Sequence, residues 1–137
     1  MIDVVEVHTD GGARGNPGPA AIGAVITDPS TDPPTRLAAV SERIGVATSN
    51  VAEYKAVIAG LEMARSFPAR QVRVRADSML VIRQLEGAWK VKHPNLKPLH
   101  AEATALLAEW EHVDLGHVRR EDNFDADLLV NAALDAG

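Results

Sequence analysis

The stretch that decides the fold is residues 4–19, VVEVHTDGGARGNPGP. Val4, Val5 and Val7 are β-branched, which is typical of a strand, and the run leads to a single carboxylate, Asp10. Two glycines follow at once, and glycine lets a backbone approach a neighbour or a ligand closely. An ordinary turn explains most Asp-Gly pairs. This turn is longer than a hairpin needs, and further isolated acids recur downstream, so we interpret Asp10 as a candidate site residue.

Length and composition indicate one globular domain over residues 1–137, of which 46% are hydrophobic and 24% charged. The sequence contains no cysteine, which excludes disulfides, thiolate metal sites and a cysteine nucleophile. No apolar run approaches the ~18 residues that span a bilayer, and the first residues do not begin a signal peptide, so we expect a cytoplasmic protein without membrane contact. The net charge of −5 argues against a uniformly basic nucleic-acid binder. Acids around a metal, together with a local basic stripe, are nevertheless compatible with phosphate binding.

Hydrophobic periodicity predicts the element order βββαβααβα, an α/β fold. Three strands with short connections come first, which favours an antiparallel meander, and helical spacing then begins at Val51 and stops before Pro68. The predicted strands are residues 4–8, 20–28, 36–44, 71–76 and 113–118, and the predicted helices are residues 51–64, 79–85, 98–110 and 123–136. A strand–helix–strand unit after a meander predicts a mixed sheet. Its two later strands should lie parallel to the first, with helices covering both faces.

Four acids lie at element ends and not on solvated helix faces. Asp10 ends the first predicted strand and Asp77 the fourth, while Glu53 and Asp127 lie near the starts of two helices, with Glu53 in the first turn. Clustered carboxylates repel, so a cluster implies raised pKa values or a cation, and an all-oxygen ligand set favours Mg²⁺ or Mn²⁺ over zinc. Such a cluster is typical of a two-metal phosphodiester site. Taken singly, Glu53 and Asp127 are better explained as acids that complement a helix dipole.

Four motifs together resemble the type 1 ribonuclease H family, and in particular its compact archaeal and actinobacterial branch. They are TDGGARGNPGPAAIGAV, TSNVAEY, ADS and REDNFDAD, in the family's order and spacing over nearly the whole chain. The resemblance implies a ribonuclease H-like fold, with a five-stranded mixed sheet in the order 3-2-1-4-5. It also implies a metal-dependent endoribonuclease that cuts the RNA strand of RNA–DNA hybrids and leaves 5′-phosphate and 3′-hydroxyl ends.

The same resemblance implies roles for the four acids as catalytic residues and metal ligands. Asp10, Glu53 and Asp77 match the positions that hold one ion, and Asp10 would bridge to a second ion held with Asp127. The implied cofactor is Mg²⁺, as two ions, with Mn²⁺ as a substitute.

The resemblance also implies substrate contacts. Asn16, Thr48 and Asn50 match positions that contact the hybrid backbone and minor groove, and their amides and hydroxyl suit phosphate, base edges and the ribose 2′-OH. Gly11 and Gly12 would let backbone N–H groups approach the scissile strand. Capping and turn formation are the alternative roles for the polar residues, and Thr48 can have both.

The chain departs from the family pattern around the cleft. The loop before the fourth acid is short and lacks the histidine that helps product release in many members. Arg120 and Glu121 are candidate replacements, and we interpret His117, on the strand itself, as a structural or surface residue. Met79 stands where many members have a polar residue that touches the minor groove, which argues against that contact here.

The long basic handle of some bacterial members is replaced by residues 89–94, WKVKHP. Trp89, Lys90 and Lys92 combine an aromatic ring with positive charges, which can hold the phosphates of the DNA strand, although such a run is as often a solvated loop. Some proteins of this branch are fused to a second enzyme. These 137 residues show no trace of one, and we expect a monomer that acts on an RNA–DNA hybrid.

Two alternatives to a hybrid-specific endoribonuclease remain. One is an integrase- or resolvase-like DNA nuclease of the same superfamily, against which Asn16 and Asn50 argue because groups suited to the 2′-OH have no target on DNA. The other is a hybrid-binding module that has lost catalysis. All four acids are present, and a pure binder would gain nothing from buried like charges.

Overall fold

A computed structural model describes residues 2–136, and its elements follow the predicted order with one added turn. The elements are β1 (Ile2–Ala13), β2 (Gly18–Asp28), β3 (Thr35–Ala47), α1 (Ser49–Ala64), β4 (Ala69–Ala76), α2 (Met79–Leu85), α3 (Lys97–Leu107), β5 (His112–His117), a 3₁₀ turn (Arg120–Asp122) and α4 (Phe124–Asp135). The α2 helix has the predicted bounds. None of the helices within residues 2–136 is long and apolar enough to cross a membrane.

The strands form one mixed sheet in the order β3-β2-β1-β4-β5, which confirms the predicted topology. The meander β1–β2–β3 is antiparallel, while β4 pairs parallel to β1, and β5 pairs parallel to β4. Thr9 of β1 lies opposite Ala76 of β4. Asp10 and Asp77, the residues that follow Thr9 and Ala76, therefore lie side by side.

Helices cover both faces of the sheet. The main core lies between the sheet and α1–α3, and the large side chains of Tyr54, Val57 and Leu61 in α1 are fully buried there. On the opposite face α4 packs against β1, β2 and β3. A Cβ added to Gly23 would lie 2.5 Å from the Ala126 carbonyl oxygen, so the absence of a side chain at this glycine lets α4 pack directly on β2.

The first strand is longer than predicted, and this changes the setting of the site. β1 continues through Asp10 to Ala13, with Gly11 opposite Ile22 and Gly12 opposite Ala21. The prediction that Asp10 ends the strand, with a long glycine turn after it, is wrong. Because β2 supplies partners all along this stretch, the hydrogen-bonded ladder outweighs the weak strand preference of glycine.

The other differences lie at element ends. The third helix starts at Lys97 and ends at Leu107, short of the predicted residue 110, because Glu109 and Trp110 turn back onto the carbonyls of Leu106 and Leu107. β5 ends at His117, one residue earlier than predicted. The connection to α4 then tightens into the 3₁₀ turn, which sets where the last helix begins.

Candidate metal centre

Asp10 is a buried carboxylate in the middle of the sheet. It lies opposite Gly23 of β2, and its residue is 3% exposed. Asp77 lies beside it, directly after β4, and the following Ser78 caps α2 by accepting a hydrogen bond from the Val81 N–H. Two adjacent parallel strands thus hold two carboxylates on rigid backbone.

Glu53 reaches the same point from α1. It is the fifth residue of the helix, so the predicted first-turn position is wrong. The effect of the helix dipole fades beyond the first turn, so the dipole does not explain an acid at this position. The Gly11 N–H donates to Glu53 Oε1 at 3.1 Å. A Cβ on Gly11 would lie 2.2 Å from the Ala52 carbonyl oxygen, so only glycine lets the helix come this close.

The three acids form a compact ligand set. One carboxylate oxygen from each of Asp10, Glu53 and Asp77 lies within 4.8 Å of the other two. Within residues 2–136, no donor reaches the buried Glu53 Oε2. An unpaired carboxylate oxygen buried among other carboxylates is costly unless a cation or a proton satisfies it, so these residues fit a divalent, oxygen-seeking metal.

The electrostatics of the cluster agree with this interpretation. Burial, followed by the charge of Asp77, raises the pKa of Asp10 to about 7, and Asp127 adds to the effect. Burial, followed by the charges of Asp10 and Asp77, holds the pKa of Glu53 well above its ordinary value. Without a cation, the cluster therefore retains protons that exposed carboxyl groups would have lost.

Asp127, the fourth predicted acid, lies on α4 next to this triad. It is close enough to raise the pKa of Asp10, and its side chain is 30% exposed. Its backbone N–H donates to the Asn123 carbonyl at 3.1 Å. The Asn123 side chain is 1% exposed and donates to the Thr9 carbonyl at 2.8 Å, so it ties the start of α4 to β1 beside Asp10.

No role for Asn123 was predicted from the sequence. The available signal was its place within the motif REDNFDAD, four residues before Asp127. An asparagine before a helix predicts a cap. In the structure its side chain makes no cap hydrogen bond and bonds across to the neighbouring strand, which only tertiary packing determines.

The triad Asp10, Glu53 and Asp77 lines an open cleft of about 380 Å³, and the other lining residues include Gly12, Ser49, Ser78 and Arg120. The Arg120 guanidinium lies 4.0 Å from Asp127 Oδ1 with its side chain 78% exposed. Glu121, the other candidate for the missing histidine, pairs with Arg119 at 3.4 Å. Ser49 and Ser78 also line the cleft, and neither was predicted from the sequence as a site residue, because a serine next to a helix start is typical of a cap.

The predicted contacts Asn16, Thr48 and Asn50 gather at the start of α1. Asn16 Oδ1 accepts from the Ser49 N–H at 3.0 Å, and Thr48 Oγ1 accepts from the Val51 N–H at 3.3 Å. The capping role predicted for Thr48 is therefore confirmed, and Asn16 shares it. Asn16 and Asn50 are exposed at the rim, where their amides can still meet a ligand. Gly11 and Gly12 both line the cleft, and the N–H of Gly11 already donates to Glu53.

The remaining predicted residues lie further out. Trp89 is 46% exposed, and Lys90 and Lys92 are exposed on the connection between α2 and α3. Met79, the first residue of α2, is 37% exposed. His117 is exposed at the end of β5 with its Nε2 atom 3.2 Å from the Asp77 carbonyl oxygen, which confirms its interpretation as a surface residue.

Comparison with known proteins identifies this arrangement. Residues 8–133 match the protein family described as reverse transcriptase-like. The chain is 44% identical over 131 residues, 96% of its length, to ribonuclease HI of Halobacterium salinarum. The crystal structure of that archaeon's RNase H1 superposes with a TM-score of 0.92 at 41% identity, covering 98% of this chain and 99% of that one. The chain belongs to the type 1 ribonuclease H family.

Two further ribonuclease H relatives are similar over almost the whole chain. The bifunctional protein Rv2228c of Mycobacterium tuberculosis is 46% identical over 132 residues, and its N-terminal RNase H domain gives a TM-score of 0.92, covering 98% of this chain and 95% of that one. LC11-RNase H1, solved in complex with an RNA/DNA hybrid, gives a TM-score of 0.89 at 44% identity, covering 96% and 97%. This ribonuclease H chain spans 36% of the M. tuberculosis protein and 64% of the Halobacterium enzyme.

Proposed function

We propose that this ribonuclease H chain is a metal-dependent endoribonuclease that hydrolyses the RNA strand of RNA–DNA hybrids, leaving 5′-phosphate and 3′-hydroxyl ends. The observation that carries the proposal is the buried triad Asp10, Glu53 and Asp77 with Asp127 beside it, in a chain of this family. The complex of LC11-RNase H1 with an RNA/DNA hybrid supports the choice of substrate. We take residues 1–137 as a single ribonuclease H-like domain.

The cofactor that we propose is Mg²⁺, as two ions, with Mn²⁺ as a substitute. Asp10, Glu53 and Asp77 would hold one ion, and Asp10 with Asp127 the other; the all-oxygen donor set and the unpaired Glu53 Oε2 support this assignment. Ions bound there supply the activation of water for in-line attack and the stabilisation of the leaving 3′-oxygen.

The protein positions the carboxylate ligands and sets their protonation. The Gly11 N–H fixes one oxygen of Glu53, which leaves the other for the metal. Because burial raises the pKa of Asp10 to about 7, cation binding near neutral pH displaces a proton from the cluster. Arg120, at the open side of the cleft near Asp127, is the better placed of the two candidates for the missing histidine, and its fixed positive charge suits a phosphate oxygen.

We assign the substrate contacts to two regions, the start of α1 and the exposed connection between α2 and α3. Asn16 and Asn50, at the start of α1, would meet the minor groove and the 2′-OH groups of the RNA strand, with Thr48 and Gly12 close by. On the connection between α2 and α3, Trp89, Lys90 and Lys92 would hold the phosphates of the DNA strand. We further propose a cytoplasmic monomer. Because the M. tuberculosis relative is longer, a fused or separate partner domain is part of the same proposal.

The test is cleavage of a labelled RNA strand in three contexts: single-stranded, paired with RNA and paired with DNA. Each is incubated with Mg²⁺, with Mn²⁺ and with chelator. We expect cleavage of the hybrid alone, and only with metal, because selectivity depends on a 2′-OH strand beside a DNA strand. Binding of the hybrid without cleavage under either metal would favour the inactive binding module. Cleavage of duplex DNA would favour the integrase- or resolvase-like nuclease.

A further inference from the structure

A buried polar network joins α1 to the exposed connection that carries the predicted DNA contacts. Tyr54 is fully buried and Gln84, on α2, is 4% exposed. The Tyr54 hydroxyl donates to Gln84 Oε1 at 2.5 Å, and Gln84 Nε2 donates to the Lys90 carbonyl oxygen at 3.2 Å. The chain of contacts therefore runs from the core to residues 89–92, WKVK, which we call the basic segment.

The network allows one orientation of the Gln84 amide. A backbone carbonyl only accepts, so the amide nitrogen must face Lys90, and the amide oxygen is then left for the Tyr54 hydroxyl. His100 of α3 lies nearby, with its Nε2 atom 3.1 Å from the backbone carbonyl oxygen of Gln84 and its ring edge-on to that of Tyr54 at 6.4 Å. Helices α1, α2 and α3 therefore meet around Gln84, and both ends of its side-chain amide are hydrogen-bonded.

The basic segment depends on this amide for its position. It lies between α2 and α3 outside helix and strand, and the Ala88 and Trp89 N–H groups tie only its start to the Arg83 carbonyl. The Gln84–Lys90 bond holds the segment one residue further along. Val91 of the segment also packs against the main core, while Trp89, Lys90 and Lys92 are exposed. The buried hydrogen bond to Lys90 adds to this hold and reduces the ordering cost of binding.

We propose that Gln84 is a positioning residue for hybrid binding, which holds the basic segment at a fixed distance from the acid cluster. The geometric link is α1 itself, because Glu53 of the cluster directly precedes Tyr54 of the network. This inference rests on the proposed function. It adds that substrate affinity depends on a core glutamine that touches neither metal nor nucleic acid.

The test compares two variants that differ at the anchor alone. Tyr54→Phe removes the hydroxyl but keeps the Gln84–Lys90 bond, and it is the control. Tyr54→Phe combined with Gln84→Met removes the anchor while leaving no buried hydroxyl unpaired, so the fold should tolerate it. We expect the double variant to raise KM for the hybrid by about 3- to 10-fold over the control with kcat unchanged, because only the ordering of the basic segment is lost. Thermal unfolding of both proteins verifies that they fold.

The salt dependence of KM distinguishes a loss of phosphate contacts from a loss of stability, because destabilisation alone would not change it. The slope of log KM against log salt should be shallower in the double variant than in Tyr54→Phe, because fewer phosphates are contacted. Equal KM and equal slope in the two folded variants would overturn the inference, as would a fall in kcat at constant KM. If the double variant does not fold, Gln84→Glu replaces it, since glutamate keeps the acceptor for Tyr54 and loses the donor to Lys90.

The same experiment separates the two proposals. A wild-type protein that neither binds nor cuts the hybrid would overturn the proposed function and the role of Gln84 together. A wild-type protein that cuts the hybrid, alongside a double variant indistinguishable from Tyr54→Phe, would overturn the role of Gln84 alone.

Discussion

The acid cluster and the basic segment are built in opposite ways. Asp10 and Glu53 are 3% and 8% exposed and lie on a central strand and a core helix, whereas Trp89 is 46% exposed on irregular chain. Like charges held together in the interior lower stability, so rigid elements must keep them there. Charges on an exposed segment repel less and need only an anchor. Changes to the acid cluster should therefore affect kcat and stability, while changes to the basic segment should affect KM.

The largest effect should come from Asp10→Asn. The substitution removes the carboxylate shared by both proposed ions while keeping the shape of the side chain, so we expect kcat on the hybrid to fall roughly a thousandfold or more. Affinity for the hybrid should stay the same or rise, since one negative charge leaves the phosphate site. Asp3→Asn, an exposed position on the same strand, is the matched control and should leave kcat unchanged. Turnover by Asp10→Asn at the wild-type rate would show that the metal centre takes no part in catalysis.

A smaller loss should follow Asp127→Asn, because Asp127 lies outside the compact triad and is partly exposed. We expect kcat to fall about 100-fold, with part of the activity restored by raising the metal concentration. Asp125→Asn is the control on the same helix, where the acid pairs with Arg36 at 3.7 Å on the surface. If the two substitutions give the same activity, Asp127 has no part in the site.

Because the cluster holds carboxylates together in the interior, the stability of the metal-free protein should depend on pH. In the unfolded chain Asp10 titrates near its ordinary 3.8, and in the folded, metal-free protein its pKa is about 7. Between these values the folded state holds a proton that the unfolded state has lost, so the free energy of unfolding falls as pH rises through this window. With chelator at pH 8, Asp10→Asn should therefore be more stable than wild type by on the order of 2 kcal/mol.

Thermal or urea unfolding at several pH values checks this. The difference between Asp10→Asn and wild type should shrink as pH falls from about 7 to below 3.8, because only below the unfolded-state pKa is the carboxyl neutral in both states. Adding divalent metal at pH 8 should stabilise wild type and leave the variant unchanged. If the difference in unfolding free energy between the two proteins is the same at every pH, folding does not raise the pKa of Asp10.

The smallest effect should come from the basic segment. Replacing Lys90 and Lys92 together by alanine should raise KM about 10-fold at low salt, flatten the salt dependence and leave kcat and stability unchanged, because both side chains are exposed. Arg70→Ala is the control, as an exposed cation at the opposite end of β4 from Asp77 that pairs with Glu111 at 3.2 Å. An unchanged KM and salt slope in the double variant would show that this segment is only a solvated loop.

Much of the fold and of the cluster could be predicted from the sequence, since both depend on local pattern. Alternation of apolar residues predicted the strands, and the change to helical spacing predicted the helices, so the mixed sheet followed from connection rules. Parallel pairing of the first and fourth strands then placed Asp10 and Asp77 at one edge. The position of Glu53 alone favoured a helix-dipole role, and it was the resemblance to the ribonuclease H family that grouped it with Asp10 and Asp77.

Features that depend on long-range packing could not be predicted. Asp10 lies within β1 and not at its end, because β2 continues to pair with Gly11 and Gly12. The bond from Asn123 to the Thr9 carbonyl and the bond from Gln84 to the Lys90 carbonyl each join elements that only tertiary packing brings together. Periodicity identifies which face of an element is buried, but not which buried polar group meets which.

The measurement that tests the metal centre most directly is the paramagnetic broadening of backbone amide NMR signals by Mn²⁺. It detects weak binding and reports where the ion lies. In the wild-type protein, signals of Asp10, Gly11, Glu53 and Asp77 should broaden first, and in Asp10→Asn this selective broadening should disappear. Equal broadening in both proteins, or first broadening near the surface acids at residues 121–125, would contradict a metal centre at the triad.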